Sequence, residues 1–239
     1  MTASLEGWLG IAFAGEASNP VSQARHLSIG GEPLQQLTMP QGVTAIADYA
    51  FTGCEDLTGV TVEGEVTTVG NYAFYQCKNL QSVTAGNQVK TIGEKAFNLC
   101  TSLQRVALGN AIEHLGAKTF ASCMALTEVT CRAVTPPASD GTACFASGAY
   151  KKATLRVPAC SREAYREADM WSQFKVITAI NDTAACDVNG DGEINLSDVN
   201  TLIDLILRGE MTLRADVNGD GELSIADVNV VISAIMQGQ

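Results

Sequence analysis

Two twelve-residue segments near the end of the chain carry acidic and amide side chains at matching positions. Residues 187–198 read DVNGDGEINLSD and residues 216–227 read DVNGDGELSIAD. Calcium prefers about six to eight oxygen ligands, and a twelve-residue loop supplies them from positions 1, 3, 5, 7, 9 and 12. Both segments carry suitable oxygens at these positions, so the sequence predicts two Ca²⁺ sites, one in each loop.

Each loop has a complete set of candidate ligands. In the first loop they are Asp187, Asn189, Asp191, the carbonyl of Glu193, Asn195 through a water molecule, and Asp198. In the second loop they are Asp216, Asn218, Asp220, the carbonyl of Glu222, Ser224 through a water molecule, and Asp227. Gly192 and Gly221 occupy position 6, where the chain must turn sharply. Ile194 and Leu223 at position 8 are predicted to point into a core.

An amphipathic helix is predicted directly after each loop. Apolar residues recur there with helical spacing, at Val199, Leu202, Ile203 and Ile206, and at Val228, Val231, Ile232 and Ile235. Such spacing places them on one helix face. The alternative interpretation is a pair of acidic Asn-Gly turns that bind no metal. Two matched loops followed by two matched helices favour calcium binding over that alternative.

The duplicated loop and exit helix resembles the type I dockerin module over residues 187–239, through the repeated DVNGDG start and Asp at position 12. This resemblance implies calcium-dependent attachment to a cohesin module on a scaffold protein. Partner recognition would lie at loop positions 10 and 11, which are Leu196 and Ser197, and Ile225 and Ala226. A Ser-Thr pair is common there in the family. The apolar replacement leaves a divergent cohesin, or packing on the rest of this chain, as open alternatives.

Upstream of these loops, several residue types recur every 23 positions. The repeated columns are Phe51, Phe74, Phe97 and Phe120; Cys54, Cys77, Cys100 and Cys123; and Leu57, Leu80, Leu103 and Leu126. A unit this short cannot bury its own apolar face, so the units must stack as a solenoid. LTGVTV and its counterparts predict one short strand per unit, and the Val-x-x-Ile/Val-Gly segment predicts a second extended stretch. The Ala-Phe-x-x-Cys segment predicts about one turn of helix.

The repeat unit TIGEKAFNLCTSLQRV resembles the leucine-rich repeats of BspA-like bacterial surface proteins. The predicted fold class is therefore an α/β leucine-rich-repeat solenoid of short strands and short helical turns with period 23, followed by a small all-α module with duplicated calcium loops. The expected domains are an N-terminal remnant or cap at 1–25, the repeat domain with its C-terminal cap at 26–180, and the calcium-binding domain at 181–239.

The eight cysteines do not require disulfides. The four in the repeat column are predicted to be buried free thiols, because equivalent positions of stacked coils point the same way and Cys behaves there as a small apolar residue. Cys131 is expected to be buried as well. The bonding state of Cys144, Cys160 and Cys186 remains open. Beyond the regular repeats, Trp171 and Phe174 are predicted to cover the last open face of the solenoid.

Charge excludes some functions. The chain has 15 basic and 26 acidic residues, and 11 of the acidic but only two of the basic residues lie in 181–239. Nucleic acid is therefore an unexpected partner, because binding phosphates requires clustered Lys and Arg. No run approaches the roughly 18 apolar residues of a membrane span. The two histidines, His26 and His114, stand far apart and lie near no nucleophile, so no catalytic set is predicted.

These patterns predict a non-catalytic exported protein at the bacterial surface or in the extracellular medium. Its repeats would contact a protein partner through a small, polar strand face that includes Thr58, Thr61, Gln81 and Thr84. Its last module would dock to a cohesin-like scaffold. Two alternatives stay open: an accessory C-terminal part of a secreted polysaccharide-degrading enzyme, and a self-contained surface adhesin whose calcium module only stabilises it.

Overall fold

The structure is a computed structural model that describes residues 4–141, 144–158, 161–180, 186–191, 193–210, 212, 215, 217 and 222–237. The helices in this part of the chain are α1 (Leu5–Leu9), α2 (Pro20–Ala24), α3 (Ser147–Lys152), α4 (Arg162–Glu167), α5 (Leu196–Arg208) and α6 (Ile225–Gln237). The strands are β1 (Ser28–Ile29), β2 (Glu32–Pro33), β3 (Gln36–Thr38), β4 (Ala45–Ile46), β5 (Gly59–Val62), β6 (Thr68–Val69), β7 (Ser82–Ala85), β8 (Thr91–Ile92), β9 (Arg105–Leu108), β10 (His114–Leu115), β11 (Glu128–Cys131), β12 (Ala138–Ser139), β13 (Thr154–Pro158) and β14 (Val176–Ile180).

Two parallel sheets run along the repeat region. One has the order β14-β13-β11-β9-β7-β5-β3 and the other the order β12-β10-β8-β6-β4. Partners in neighbouring strands are one repeat apart in sequence, as in the pairs Val60↔Val83 and Val83↔Val106. Each regular coil therefore adds one strand to each sheet, and both extended stretches expected from the sequence are present. Only the hairpin β1–β2 is antiparallel among the described strands.

The Ala-Phe-x-x-Cys segment is not helical, so the predicted turn of helix is wrong. It forms successive turns in which Tyr72 (φ 55°) and Gln76 (φ 58°) have left-handed backbones. An α-helix cannot continue through such residues. Its amides instead bind the next coil, as where the Phe74 N–H donates to the Ala96 carbonyl at 2.8 Å. Main-chain hydrogen bonds between coils thus replace those within a helix.

A ladder of phenylalanine rings fills the interior. The ring centroids of Phe51 and Phe74 are 5.2 Å apart, those of Phe74 and Phe97 5.0 Å, and those of Phe97 and Phe120 5.3 Å. Phe145 extends the ladder by another 5.3 Å. Each ring is nearly parallel to the next and buried from solvent. One coil therefore supplies the apolar surface that the next coil needs, which is the packing expected of stacked short repeats.

The column cysteines are buried free thiols, as predicted. The Cys77 thiol donates to the Phe51 carbonyl at 3.1 Å, and the Cys100 thiol donates to the Phe74 carbonyl at 3.2 Å. Burial raises the pKa of Cys54 to about 11 and that of Cys123 to about 12. Because the thiolate is the reactive form, these side chains are chemically quiet at neutral pH. Cys131 and Cys144 are also buried and free, Cys186 is buried, and Cys160 lies outside the described residues.

Aromatic residues close both ends of the stack. At the start, Trp8 of α1 is buried and its indole N–H donates to the Ala50 carbonyl at 2.9 Å. At the other end, Trp171 donates to the Pro137 carbonyl at 2.9 Å, and Phe174 packs edge-on against the Phe145 ring at 5.2 Å. Trp171 and Phe174 thus cover the end of the core as the sequence indicates.

Residues after β14 have an apolar cluster of their own. Its buried members are Cys186, Val188, Val199, Leu202, Ala215, Val217, Val228, Val231 and Ala234. Helices α5 and α6 pack against each other across it. Ile194 and Leu223, at position 8 of the two loops, are partly buried against this cluster, as expected. The two loops are therefore fastened to a small helical core.

Shortening one ring of the ladder should weaken the whole repeat stack. Phe97 is fully buried between two other rings, so Phe97→Ala leaves a cavity. We expect a loss of about 3–5 kcal/mol in the free energy of unfolding. Urea denaturation followed by Trp fluorescence measures it. Met124→Ala is the control because Met124 is mostly exposed; equal losses in the two variants would contradict the role of the ladder.

Candidate functional site

The first calcium-loop candidate is held by hydrogen bonds between its own side chains and main chain. The Asp187 carboxylate accepts from the N–H groups of Gly190 (2.7 Å) and Asp191 (3.0 Å). The side-chain oxygen of Asn189 accepts from the Asp191 N–H at 2.8 Å, and Asp191 accepts from the Glu193 N–H at 2.9 Å. These short-range bonds curl the chain around its oxygen-bearing side chains.

Asp198 closes the first loop from inside helix α5. Its carboxylate is fully buried and accepts from the N–H groups of Asn189 (3.2 Å) and Asn195 (2.9 Å). The Asn195 side chain in turn accepts from the Ser197 N–H at 2.7 Å. Asn195 and Asp198 therefore form a capping box that starts the helix and ties it to the loop.

The second loop repeats this closure where the structure describes it. Asp227 is fully buried and accepts from the N–H groups of Val217 and Ser224, both at 2.9 Å. The Ser224 hydroxyl accepts from the Ala226 N–H at 3.1 Å. The predicted ligands Asp216, Asn218 and Asp220 lie outside the described residues, whereas Glu222 is described and exposed. Asp198 and Asp227 thus hold equivalent places at the two helix starts.

The donor chemistry of the first loop fits a hard cation. It offers carboxylate, amide and carbonyl oxygens within twelve residues, which is the ligand type that Ca²⁺ selects. Asp187 and Asp198 are both buried, and burying carboxylates is unfavourable unless opposite charge or hydrogen bonds compensate. Within the described part of the chain, no three or more His, Cys, Asp or Glu side chains gather closely enough to hold a metal. Calcium would supply positive charge that this acidic loop otherwise lacks.

Two exposed apolar stripes run along the exit helices. On α5, Leu196 is 69% exposed and Leu207 80% exposed; on α6, Ile225 is 68% exposed and Met236 74% exposed. The intermediate positions of the stripes are Ile203 and Ile232, which are also exposed. Members of each stripe are seven and four residues apart, so they lie on one helix face. Ser197 and Ala226 are exposed beside them.

The stripes change one prediction and extend another. Ile203 and Ile232 do not belong to the buried helix face expected from the sequence, because Val199 and Leu202 already fill the space between the helices. Leu207 and Met236 were not predicted to take part in partner binding. Their common offset of 29 residues is the signal that identifies them, since every other stripe member has a partner at the same offset.

The solenoid face of the longer sheet is more charged than the sequence suggested. Arg105 on β9 is the register partner of Glu128 on β11, and Arg156 on β13 reaches Glu128 diagonally, with its Nε atom 2.9 Å from a Glu128 carboxylate oxygen. The His26 Nδ1 atom is 2.9 Å from a carboxylate oxygen of Asp56, and the His114 Nε2 atom is 3.1 Å from a carboxylate oxygen of Asp140. The two histidines belong to coils that are several repeats apart. They form surface ion pairs when protonated.

The geometry defines a class of protein: a repeat solenoid with parallel strands, followed by a segment in which two helices pack together. Residues 30–147 match the BspA type leucine rich repeat region in six copies. Residues 185–236 match the dockerin type I domain. The chain therefore contains a BspA-type leucine-rich-repeat region and a C-terminal type I dockerin domain. No curated protein matches the chain.

Solved structures of bacterial repeat proteins are also similar. A leucine-rich repeat protein from T. pallidum is 26% identical, with 55% of this chain and 56% of that chain covered and a TM-score of 0.42. A leucine-rich repeat protein from Bacteroides ovatus is 22% identical, with 62% and 42% covered and a TM-score of 0.38. The aligned part of this chain spans about half the length of these two proteins.

The two domain types bear on function. Both are non-catalytic module types, and both are typical of extracellular or cell-surface bacterial proteins. Type I dockerin domains bind calcium and take a protein partner, typically a cohesin. None of the helices in the described ranges is both long and apolar enough to cross a membrane.

Removing the buried Asp198 carboxylate should loosen α5 even without metal. Asp198→Ala deletes the acceptor for two amides and the capping box, which should cost about 3 kcal/mol. Hydrogen exchange of the α5 amides in chelator measures this as a roughly hundredfold acceleration. Asp204→Ala is the control, because Asp204 is half exposed and pairs with Arg208 on the surface. Equal exchange in the two variants would refute the closure by Asp198.

Proposed function

We propose that this chain is a non-catalytic, exported interaction protein that attaches to a cohesin-like scaffold at the bacterial surface or outside the cell. Its dockerin domain would bind two Ca²⁺ ions through the two loops and dock through α5 and α6. Its repeats would present a second surface to another protein. The observation that carries this proposal is the matched pair of exposed apolar stripes on the two exit helices.

The stripes support docking for two reasons: they are repeated on both helices, and exposing large apolar side chains to water is unfavourable. A small domain does not normally leave large apolar side chains such as Leu196 and Leu207 in water on one face. The equivalent Ile225 and Met236 repeat the same surface on the second helix. A protein partner that covers either stripe would remove this surface from water, and loss of apolar exposure is the main driving force of such association.

Calcium supports the same proposal through charge. Six aspartates fall at ligand positions of the two loops, and residues 181–239 contain only two basic residues. Like charges at such distances repel one another, and two calcium ions contribute four positive charges against them. The loops also begin the helices that carry the stripes, because Asp198 and Asp227 belong to both. Metal binding would therefore order the docking surface.

Calcium titration tests the ligand assignment. We expect isothermal titration of the metal-free full chain to show two binding events, and Asp191→Ala to remove one of them. Asp191 lies in the first loop, whereas Asp204→Ala changes another exposed aspartate outside it and should leave both events. On chelation, hydrogen exchange should rise in residues 186–237 and stay unchanged in the repeats. Absence of calcium heat would refute the assignment.

The docking surface is tested by reversing its polarity. Leu196→Asp combined with Ile225→Asp places a charge at the start of each stripe, where a partner would have to bury it. We expect the parent to retain a cohesin-containing protein from the secreted proteins of its bacterium in calcium and to release it in chelator. The double variant should lose at least about tenfold in affinity. The control is Gln41→Asp combined with Gln104→Asp, which adds the same charge at exposed polar sites outside the stripes.

Two outcomes would favour the alternatives. Partner capture that persists in chelator and in the double variant would favour an adhesin whose calcium module only stabilises it. A catalytic domain upstream in the complete reading frame would favour an accessory part of a polysaccharide-degrading enzyme. Cohesin binding lost equally in the double variant and in the Gln41, Gln104 control would refute the stripes as the contact surface.

A further inference from the structure

An open cleft of about 610 Å³ lies on the side of the solenoid that is formed by the turns of the repeats. The residues that line it precede helices α5 and α6 by about 50 residues or more in the sequence. Its lining includes Tyr72, Tyr75, Lys95, Asn98, Lys118 and Ala121. This size is in the range of about 300–1,000 Å³ that small-molecule sites occupy. Tyrosines, lysines and an amide converge in it, which is the mixture of apolar and polar groups that such sites share.

The cleft results from a change of side-chain size along one repeat column. Tyr75, Asn98 and Ala121 occupy equivalent positions in successive coils, so the column falls from a large ring to a methyl group. Beyond Ala121 the regular repeat ends, and the chain at Ala146 and Ser147 rises into helix α3. Tyr75 therefore forms one wall, the start of α3 the other, and the smaller side chains the floor.

Tyrosine rings form the first wall and are held in place by one another. The rings of Tyr49 and Tyr72 stack at 5.1 Å, and the Tyr75 ring meets Tyr72 edge-on at 5.5 Å. All three are partly exposed, unlike the buried phenylalanines of the interior. Rings fixed in this way offer an apolar face to a ligand with little loss of side-chain freedom on binding.

Two ammonium groups in the next column face the same space. Lys95 is held by the Glu94 carboxylate at 2.9 Å and by the Tyr72 hydroxyl at 2.6 Å, and it lies 4.9 Å from the centre of the Tyr72 ring. Lys118, one coil further, is exposed; the hydrogen bond from Lys95 lowers the pKa of Glu94 and the charge of Lys118 helps to lower it, but among the described residues Lys118 forms no direct ion pair with a carboxylate. Lys118 is therefore available to an anion, whereas the Lys95 ammonium is already paired with the Glu94 carboxylate.

From these contacts we infer that the cleft binds an acidic sugar, with the C–H face of the pyranose ring against Tyr75 and its carboxylate on Lys118. Asn98 forms part of the floor, where its side chain is buried and its amide nitrogen donates to the Lys118 carbonyl at 3.4 Å. A peptide carboxylate would use Lys118 but would leave the partly exposed tyrosine faces without a matching ring. The carbohydrate therefore uses more of the groups present. This site does not depend on the docking module.

The test uses two sugars that differ by one group. Methyl glucuronide carries a carboxylate where methyl glucoside carries a hydroxymethyl group, and an acidic tetrapeptide supplies carboxylates without a sugar ring. NMR titration of the full chain with each probe gives the affinity and the residues whose signals shift. We expect the glucuronide to bind about tenfold more tightly than the glucoside and the peptide. Shifts should concentrate at Tyr72, Tyr75, Asn98 and Lys118.

Substitutions assign the contacts. Lys118→Gln should weaken glucuronide binding about tenfold and leave glucoside binding unchanged, because it removes the charge alone. Tyr75→Leu keeps an apolar side chain but loses the flat ring, and should weaken both sugars. Lys90→Gln is the control, since Lys90 is an exposed lysine that does not line the cleft. Native-like spectra of each variant establish that the solenoid is folded.

Four outcomes would overturn the inference. Equal binding of the two sugars would remove the role of Lys118. Peptide binding as tight as that of the glucuronide and equally sensitive to Lys118→Gln would assign the cleft to an acidic protein segment. Shifts outside the cleft, or no binding of any probe at millimolar concentration, would show that it is not a sugar site. None of these outcomes depends on calcium or on the cohesin proposal.

Discussion

The repeat region depends on one constraint, which is that no coil can bury its own apolar face. Phe74 has aromatic neighbours only because Phe51 and Phe97 belong to the coils on either side. The same constraint applies to polar groups, since main-chain amides of each turn donate to carbonyls of the adjacent coil. It also explains the two ends, where Trp8 and Trp171 cover faces that would otherwise be exposed.

Interior and exterior columns consequently follow different rules. An interior position must repeat its residue type, because a changed volume leaves a cavity or a clash between coils. An exterior position in the turns has no such requirement, since it contacts water on one side. The column that contains Tyr75, Asn98 and Ala121 lies between these cases, since Tyr75 and Ala121 are half-buried and Asn98 is buried; its side chains become smaller at each step, and the cleft is the result. The regular interior thus holds the varied side chains of the turns in fixed positions.

The C-terminal module is also too small to be stabilised by its apolar core alone, but it does not stack repeats. Its apolar cluster is small, and the module also buries the carboxylates of Asp198 and Asp227. Each accepts two main-chain N–H groups and begins a helix, so loop and helix are built from the same residues. A domain of this size needs further stabilisation beyond its core, and bound metal is one common source. The acidic composition of residues 181–239 is consistent with that source.

The sequence by itself determined the repeated columns, both strand sets, the free thiols of the repeat column and the aromatic cap. Periodicity suffices for the columns and the strands, because a residue that recurs every 23 positions must meet its equivalents. The Ala-Phe-x-x-Cys turn was predicted wrongly, since the left-handed backbones at Tyr72 and Gln76 are set by hydrogen bonds between coils. Only the tertiary structure decided which exterior side chains converge. Such turns have no fixed side-chain period, so the cleft of Tyr75 and Lys118 and the exposure of Leu207 and Met236 follow from packing alone.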